Sequence, residues 1–239
     1  MSQDTDAAAQ RRSDYDSHFD SAGEIRASAY ERRVVMEALG PLRPGILLDV
    51  GTGFGRLIDF PPPPEAVGLD VDEKQLLRAS NRYSGDPSKH FVLATVDGLP
   101  FREDCFDIVV CVRVLRYLEE PETAVAEMAD ALKPGGRLVL DVSNKYCPAG
   151  FYRRVQSWLH IKPPSRAYFT HSDGIKMLSL LGLTPFTSKP LFKVDRYVWE
   201  KMGSEWAARL VERVERAMDF AFGPWFMSKS VVIACEKPL

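Results

Sequence analysis

The chain is poor in the features that bind metal, cross a membrane or staple a secreted fold. It has four cysteines, Cys105, Cys111, Cys147 and Cys235, and no Cys-x-x-Cys pair. Three lie on or beside apolar strand-like runs, which reads as reduced core thiols rather than a disulfide framework. The four histidines, His18, His90, His160 and His171, are scattered, so no metal site is expected. No run approaches the roughly 20 apolar residues of a membrane helix. The stretch from Met1 to Ser13 has no apolar centre, so no signal peptide is expected there and the expected location is the cytoplasm. Neither sign of charge dominates: 31 basic and 33 acidic residues leave a net charge of -2. A nucleic-acid or membrane-surface binder acting through a strong basic excess is therefore not expected. No internal repeat is visible.

What remains is an alternating α/β pattern. The 239 residues, 45% apolar, suit one large domain. Residues 1–13 are too polar to offset ordering entropy and are expected to be disordered; residues 14–239 are expected to form a single domain. A helix is predicted from Glu24 to Leu39, stopped by Gly40-Pro41. Strands are predicted at 46–50, 66–70, 91–96, 107–112 and 136–142, with helices at 73–83 and 121–132. Pro121 suits a first helical turn, and Val125, Met128 and Leu132 share one face. Continuous apolar strands with intervening helices predict a parallel sheet covered on both sides. Pro61 to Pro64 cannot continue a helix, so the first crossover helix must be one or two turns long. Further on, a helix is predicted at 173–181, a strand within 183–198, a helix at 199–221 with Trp206, Leu210, Val214 and Met218 on its apolar face, and a last strand at 230–235.

The chemistry-bearing segment is Ile46 to Gly55, a buried strand entering the turn Asp49-Val50-Gly51-Thr52-Gly53-Phe54-Gly55. Such a turn admits φ > 0 and direct contact between ligand and main chain. Ligands of parallel α/β sheets bind there, outside the carboxyl ends of the strands. A dinucleotide fingerprint, G-x-G-x-x-G, would need glycine where Arg56 stands. Asp-x-Gly-x-Gly-x-Gly resembles instead the first motif of class I S-adenosylmethionine (SAM) methyltransferases. The resemblance runs from about Leu48 to Asp141 and is to the ubiquinone/menaquinone methyltransferase-like (methyltransferase type 11) superfamily. Four further segments carry it in order: Asp70 ending Ala66-Val67-Gly68-Leu69-Asp70, Val96-Asp97-Gly98-Leu99-Pro100-Phe101, Phe106 to Leu118, and Leu132-Lys133-Pro134-Gly135-Gly136.

The resemblance implies SAM as cofactor and a Rossmann-like sheet of seven mostly parallel strands with helices on both faces. The last strand would be antiparallel, with an N-terminal helical lid and insertions in the C-terminal half. It assigns Asp49, Gly51, Gly53 and Gly55 to the amino-acid end of SAM, and Asp70, with Val71 beside it, to the ribose. A carboxylate can accept from two vicinal hydroxyls at once. Asp97 and Gly98 go to the adenine, and Val112 lies near the sulfonium. Many relatives carry histidine where Arg116-Tyr117 stand here. Asp72 is read as a helix cap. The cofactor core spans about 46–143. Segments 14–39, 144–171 and 190–227 are expected to form lid and acceptor pocket, with Trp158 and Tyr168 as acceptor-site candidates and Phe192 among the pocket aromatics.

The expected reaction is in-line methyl transfer to oxygen or carbon of a small, apolar or lipid-linked acceptor. His171 is the candidate base; its alternative role is a helix cap. A protein or RNA methyltransferase and a non-catalytic SAM-binding scaffold are the other readings. Tyr197-x-x-x-Lys201 matches the catalytic pair of short-chain dehydrogenases, but the glycine turn does not match theirs.

Overall fold

A computed structural model describes residues 22–41, 44–59, 64–144, 147, 168–192, 205–222 and 228–239. The alternation of apolar runs and helices becomes one open sheet. Its strands are β1 (Ile46–Val50), β2 (Glu65–Asp70), β3 (Lys89–Leu93), β4 (Phe106–Cys111), β5 (Leu132–Asn144), β6 (Tyr168–Phe169), β7 (Thr184–Leu191) and β8 (Ser230–Glu236). The helices are α1 (Ala22–Leu39), α2 (Glu73–Arg82), α3 (Pro121–Ala131), α4 (His171–Leu180) and α5 (Glu205–Phe222), with a 3-10 turn at Leu115–Tyr117. The strand order is β3-β2-β1-β4-β5-β8-β7, and the two-residue β6 pairs with the end of β5. β8 runs antiparallel to β5 and β7; β1 to β5 pair in parallel. This is the expected seven-strand Rossmann-like sheet, with β8 as the antiparallel last strand.

Period-two burial builds a core on each face. Leu48, Val109, Cys111, Leu138 and Ile233 face α3 and α4. Leu47, Ile108, Val110, Val139 and Val232 face α1, whose Val34, Val35, Ala38 and Leu39 are buried. Burying a Val or Leu stabilises by roughly 1.5–3 kcal/mol, so α1 is a structural wall. The described part of this helix lies along the sheet against β5, β7 and β8, with Glu31 reaching the cavity-lining Arg56; residues 14–21 of the expected lid lie outside the described residues. Residues 51–59 form turns without the expected one- or two-turn helix, and among the described residues of that connection Leu57 and Ile58 join the core.

Two other expectations shift. The Lys133-Pro134-Gly135-Gly136 turn is a bulge within β5: Phe106 pairs with Leu132, and Ile108 with Arg137. Gly135 takes φ 75 there. α5 keeps its helix but reverses its face. Trp206 (73%), Leu210 and Val214 are exposed, whereas Glu215 is buried and accepts from the Tyr30 hydroxyl at 2.8 Å. Asp72 caps α2 as expected, accepting from the backbone of Lys74 and Gln75. α4 begins with a capping box formed by Thr170 and Asp173. All four cysteines are free, and burial pushes the Cys111 thiol well up and that of Cys235 to about 12.

Candidate active site

The glycine turn is fixed from below before any ligand is considered. The amides of Gly51 and Thr52 donate to Leu69 O at the end of β2, at 2.7 and 2.9 Å. Gly51 has φ 70, and a Cβ there would overlap Val114. Glycine is thus required twice over, by conformation and by space. Gly53, at φ 55, faces open space. Gly55 does something different: a Cβ there would come within 2.8 Å of the Tyr83 ring, and the Tyr83 hydroxyl donates to Gly55 O at 3.0 Å. It closes the turn onto the end of α2.

A cavity of about 440 Å³ opens above this turn, within the range of small-molecule sites. Of the expected cofactor residues, Gly51, Gly53, Asp70, Val71, Asp97 and Val112 line it together. Asp49, Gly55 and Gly98 are not in its wall. Asp49 is buried behind the turn and accepts from the Thr52 hydroxyl at 2.6 Å. Burial raises its carboxyl to about 6, against the lowering effects of the Thr52 hydroxyl and Arg56. Asp70 holds the turn as well as facing the cavity. It accepts from the amide of Gly53 at 2.8 Å and that of Asp72 at 2.9 Å. Glu127 of α3 accepts from the Leu99 amide at 3.1 Å and so pins the loop that carries Asp97.

The end of β4 carries a charge network that the sequence reading missed. Arg56 and Arg113 also line the cavity. Glu31 of α1 is fully buried and pairs with Arg56 at 2.8 Å. Asp141 of β5 is buried; it accepts from the Arg113 amide and from Arg116 Nη2, the latter at 2.8 Å. Burial lowers Arg116, but Asp141, Tyr117 and Glu31 together outweigh it and the net shift is upward. Burial and then the Arg56 guanidinium lower Arg113. A signal was available: Asp141 is a lone acid inside the apolar run Leu138 to Val142, and such a residue is rarely buried unpaired.

The remaining candidates lie elsewhere. His171 opens α4, bonded through Nε2 to Ser188 Oγ at 2.9 Å, and burial lowers its pKa. It is not among the cavity's residues. Phe192, expected in the acceptor pocket, is buried in the core under α1, with its ring 5.3 Å from that of Tyr30. Tyr168 lies in β6, paired with Ser143. Trp158, Tyr197 and Lys201 lie outside the described residues. Among those residues no group of acids, histidines and cysteines could hold a metal ion, and no helix is long and apolar enough to cross a membrane.

Comparison with known proteins agrees with this geometry. Residues 48–140 match the Methyltransf_11 family, a methyltransferase domain. Over 113 residues the chain is 34% identical to a demethylmenaquinone methyltransferase of Renibacterium salmoninarum, covering 46% of each chain. It is 28% identical over 180 residues, 70% of each chain, to the ubiquinone/menaquinone biosynthesis C-methyltransferase UbiE of Geobacter sulfurreducens. The match spans less than half the length of several of these curated relatives. In fold, it superposes on a Thermotoga maritima protein described as a SAM-dependent methyltransferase, possibly a histamine N-methyltransferase. The TM-score is 0.66, with 19% identity, covering 94% of this chain and 95% of that one. Residues 48–140 thus match a methyltransferase domain, and the described residues adopt the Rossmann-like fold of the solved methyltransferases.

Proposed function

We propose that the chain transfers a methyl group from SAM to oxygen or carbon of a small acceptor. The observation that carries this reading is one cavity with opposite charges at its two sides. Asp70 ends β2 and Asp97 follows β3, on one side of β1, and Arg113 follows β4, on the other; all three line the cavity, together with Asp72 and Arg56. Such a cavity suits a ligand that has hydroxyls and an amine at one end and an amino acid at the other. The open space over Gly53 leaves the backbone reachable. A dinucleotide would bring a pyrophosphate to this turn, where the buried Asp49 is unfavourable.

When bound, SAM supplies an electrophilic methyl group on its sulfonium. The protein's part is to hold and align. Asp70 offers its carboxylate to the ribose hydroxyls while its bonds to Gly53 and Asp72 keep it from turning. Asp97 serves the adenine amino group, and Gly51 and Val112 define the floor where the methyl lies. Asp49, poised near pH 6, favours an ammonium above the turn. Alignment and exclusion of water account for most of the acceleration. Among the described residues the cavity contains no histidine. An acceptor acidic enough to lose its proton to solvent fits this wall best, as a phenol or an activated carbon acid would. The relatives named as quinone methyltransferases support an apolar acceptor of that kind.

Calorimetric titration with SAM, S-adenosylhomocysteine and NAD(H) tests the cofactor, and transfer of a labelled methyl group to a panel of phenolic and quinol acceptors tests the reaction. SAM binding and product binding without NAD(H) binding are expected. Binding of NAD(H) with no affinity for SAM would overturn the reading. Asp70→Ala is expected to weaken SAM binding about 10- to 1000-fold, since charged hydrogen bonds are worth roughly 1.5–3 kcal/mol each.

A further inference from the structure

Arg113 is an unusual residue at the end of β4. Its backbone takes φ 69, a left-handed conformation that a non-glycine residue seldom adopts. That conformation is fixed by its own amide, which donates to the buried Asp141 carboxylate. The same carboxylate pairs with Arg116, on the other side, at 2.8 Å. The result is a side chain set against the cavity from a rigid base, with 23% of its surface exposed.

The charges around it do not cancel. Arg56 pairs with Glu31 at 2.8 Å, and Arg116 with Asp141 at 2.8 Å. Among the described residues, the acid nearest Arg113 is the far oxygen of the already engaged Glu31, at 3.8 Å. That separation is too long for a hydrogen bond. Its Nη1 is buried with no hydrogen-bond partner. A guanidinium presents five donors in a fork that matches a carboxylate, and a buried donor left unmet is costly. Among the described residues one cation is therefore left without a hydrogen-bonded acid at the cavity wall, next to Val112 and on the opposite side of β1 from Asp70 and Asp97.

Building on the cofactor reading above, we infer that Arg113 is the seat of a carboxylate, and that this carboxylate is the one on the amino-acid portion of SAM. Glu31 acts as a positioning residue, since it neutralises Arg56 and keeps the two guanidinium groups from repelling each other apart. The acceptor could in principle bring a carboxylate instead, and the choice of ligands separates the two sources.

The test is calorimetric and needs no turnover. Three ligands are titrated: S-adenosylhomocysteine, its decarboxylated analogue adenosylthiopropylamine, and methylthioadenosine, which lacks the amino-acid portion. The wild-type protein is expected to prefer S-adenosylhomocysteine over the decarboxylated analogue. In Arg113→Gln that preference is expected to fall about 10-fold or more, with methylthioadenosine binding unchanged. Equal affinity of the wild-type protein for the first two ligands would overturn the assignment without any variant. So would a Gln variant that keeps the full preference, which would leave Arg113 to the acceptor, or one that weakens all three ligands alike, which would make its role one of shape. Failure of all three ligands to bind the wild-type protein would instead refute the cofactor reading itself.

Discussion

Asp49 titrates in the opposite sense to a typical surface carboxylate. Burial holds its pKa at about 6, above the ordinary 3.8, so the folded protein keeps a proton that the unfolded chain has already released. Below about pH 4 both states are protonated and the residue costs nothing. As pH rises from about 4 to 6 the folded state is progressively penalised, and above 6 the penalty is complete. Asp49→Asn keeps an acceptor for the Thr52 hydroxyl and removes the titration. The variant is expected to match the parent near pH 4 and to exceed its stability by on the order of 2 kcal/mol at pH 8. Denaturant unfolding across that pH range checks this; parallel profiles for the two proteins would contradict it. The same variant should bind SAM more weakly, because a neutral amide does not favour an ammonium. Stability and affinity thus oppose each other at a single atom pair. The glycines and acids of this site were legible because each does its work through local chain geometry. Glu31, Arg113 and Asp141 were not, because their partners are supplied by strands and helices distant in sequence.

At the level of elements, α5 gives the clearest contrast between pattern and packing. Its apolar positions recur every four residues, at Trp206, Leu210 and Val214, as a core-facing helix would have them. The fold exposes that stripe and buries Glu215 against Tyr30 of α1 instead. Glu212 likewise turns to α1, pairing with Arg33 at 3.1 Å. Substituting Leu210→Ser is therefore expected to change stability by no more than about 0.5 kcal/mol. Glu215→Ala should cost more, about 1–3 kcal/mol, because the Tyr30 hydroxyl loses a charged partner. Thermal unfolding of the two variants decides between them, and a larger loss for Leu210→Ser would mean that the stripe is packed. Strands β1, β2, β4 and β8 were placed within a residue or so, since a strand buried on both faces is a short continuous apolar run. β5 was read short at its start, because Pro134-Gly135-Gly136 signals a turn and the ladder resumes on both sides of it. β3 was read late: Thr95 and Val96 leave the sheet toward the cavity wall.

Across the whole molecule, cofactor and acceptor duties are expected to separate. The described cavity is built from the first half of the chain, between Gly51 and Leu118. Trp158 and Tyr168 belong to the segment that follows β5, and we propose that they serve the acceptor. Replacing either by Ala is expected to change acceptor preference while leaving the SAM dissociation constant within about threefold, a shift worth less than 1 kcal/mol. Parallel assays of methyl transfer and cofactor titration measure the two quantities, and a matching loss of SAM affinity would place these residues with the cofactor.

The wall made by α1 has a temporal side. Tyr30 and Glu215 touch although 185 positions separate them, and Val34 and Val35 share a core with Leu191, Val232 and Ala234. α1 is synthesised well before β7 and β8, so its apolar face must wait, unshielded, until those strands have been made. Loop closure over such a span makes this the slow part of assembly. A nascent chain halted before β7 would expose that helix to proteases and chaperones, while the glycine turn and the strands beside it were already synthesised. A helix made early is thus among the last elements to be secured.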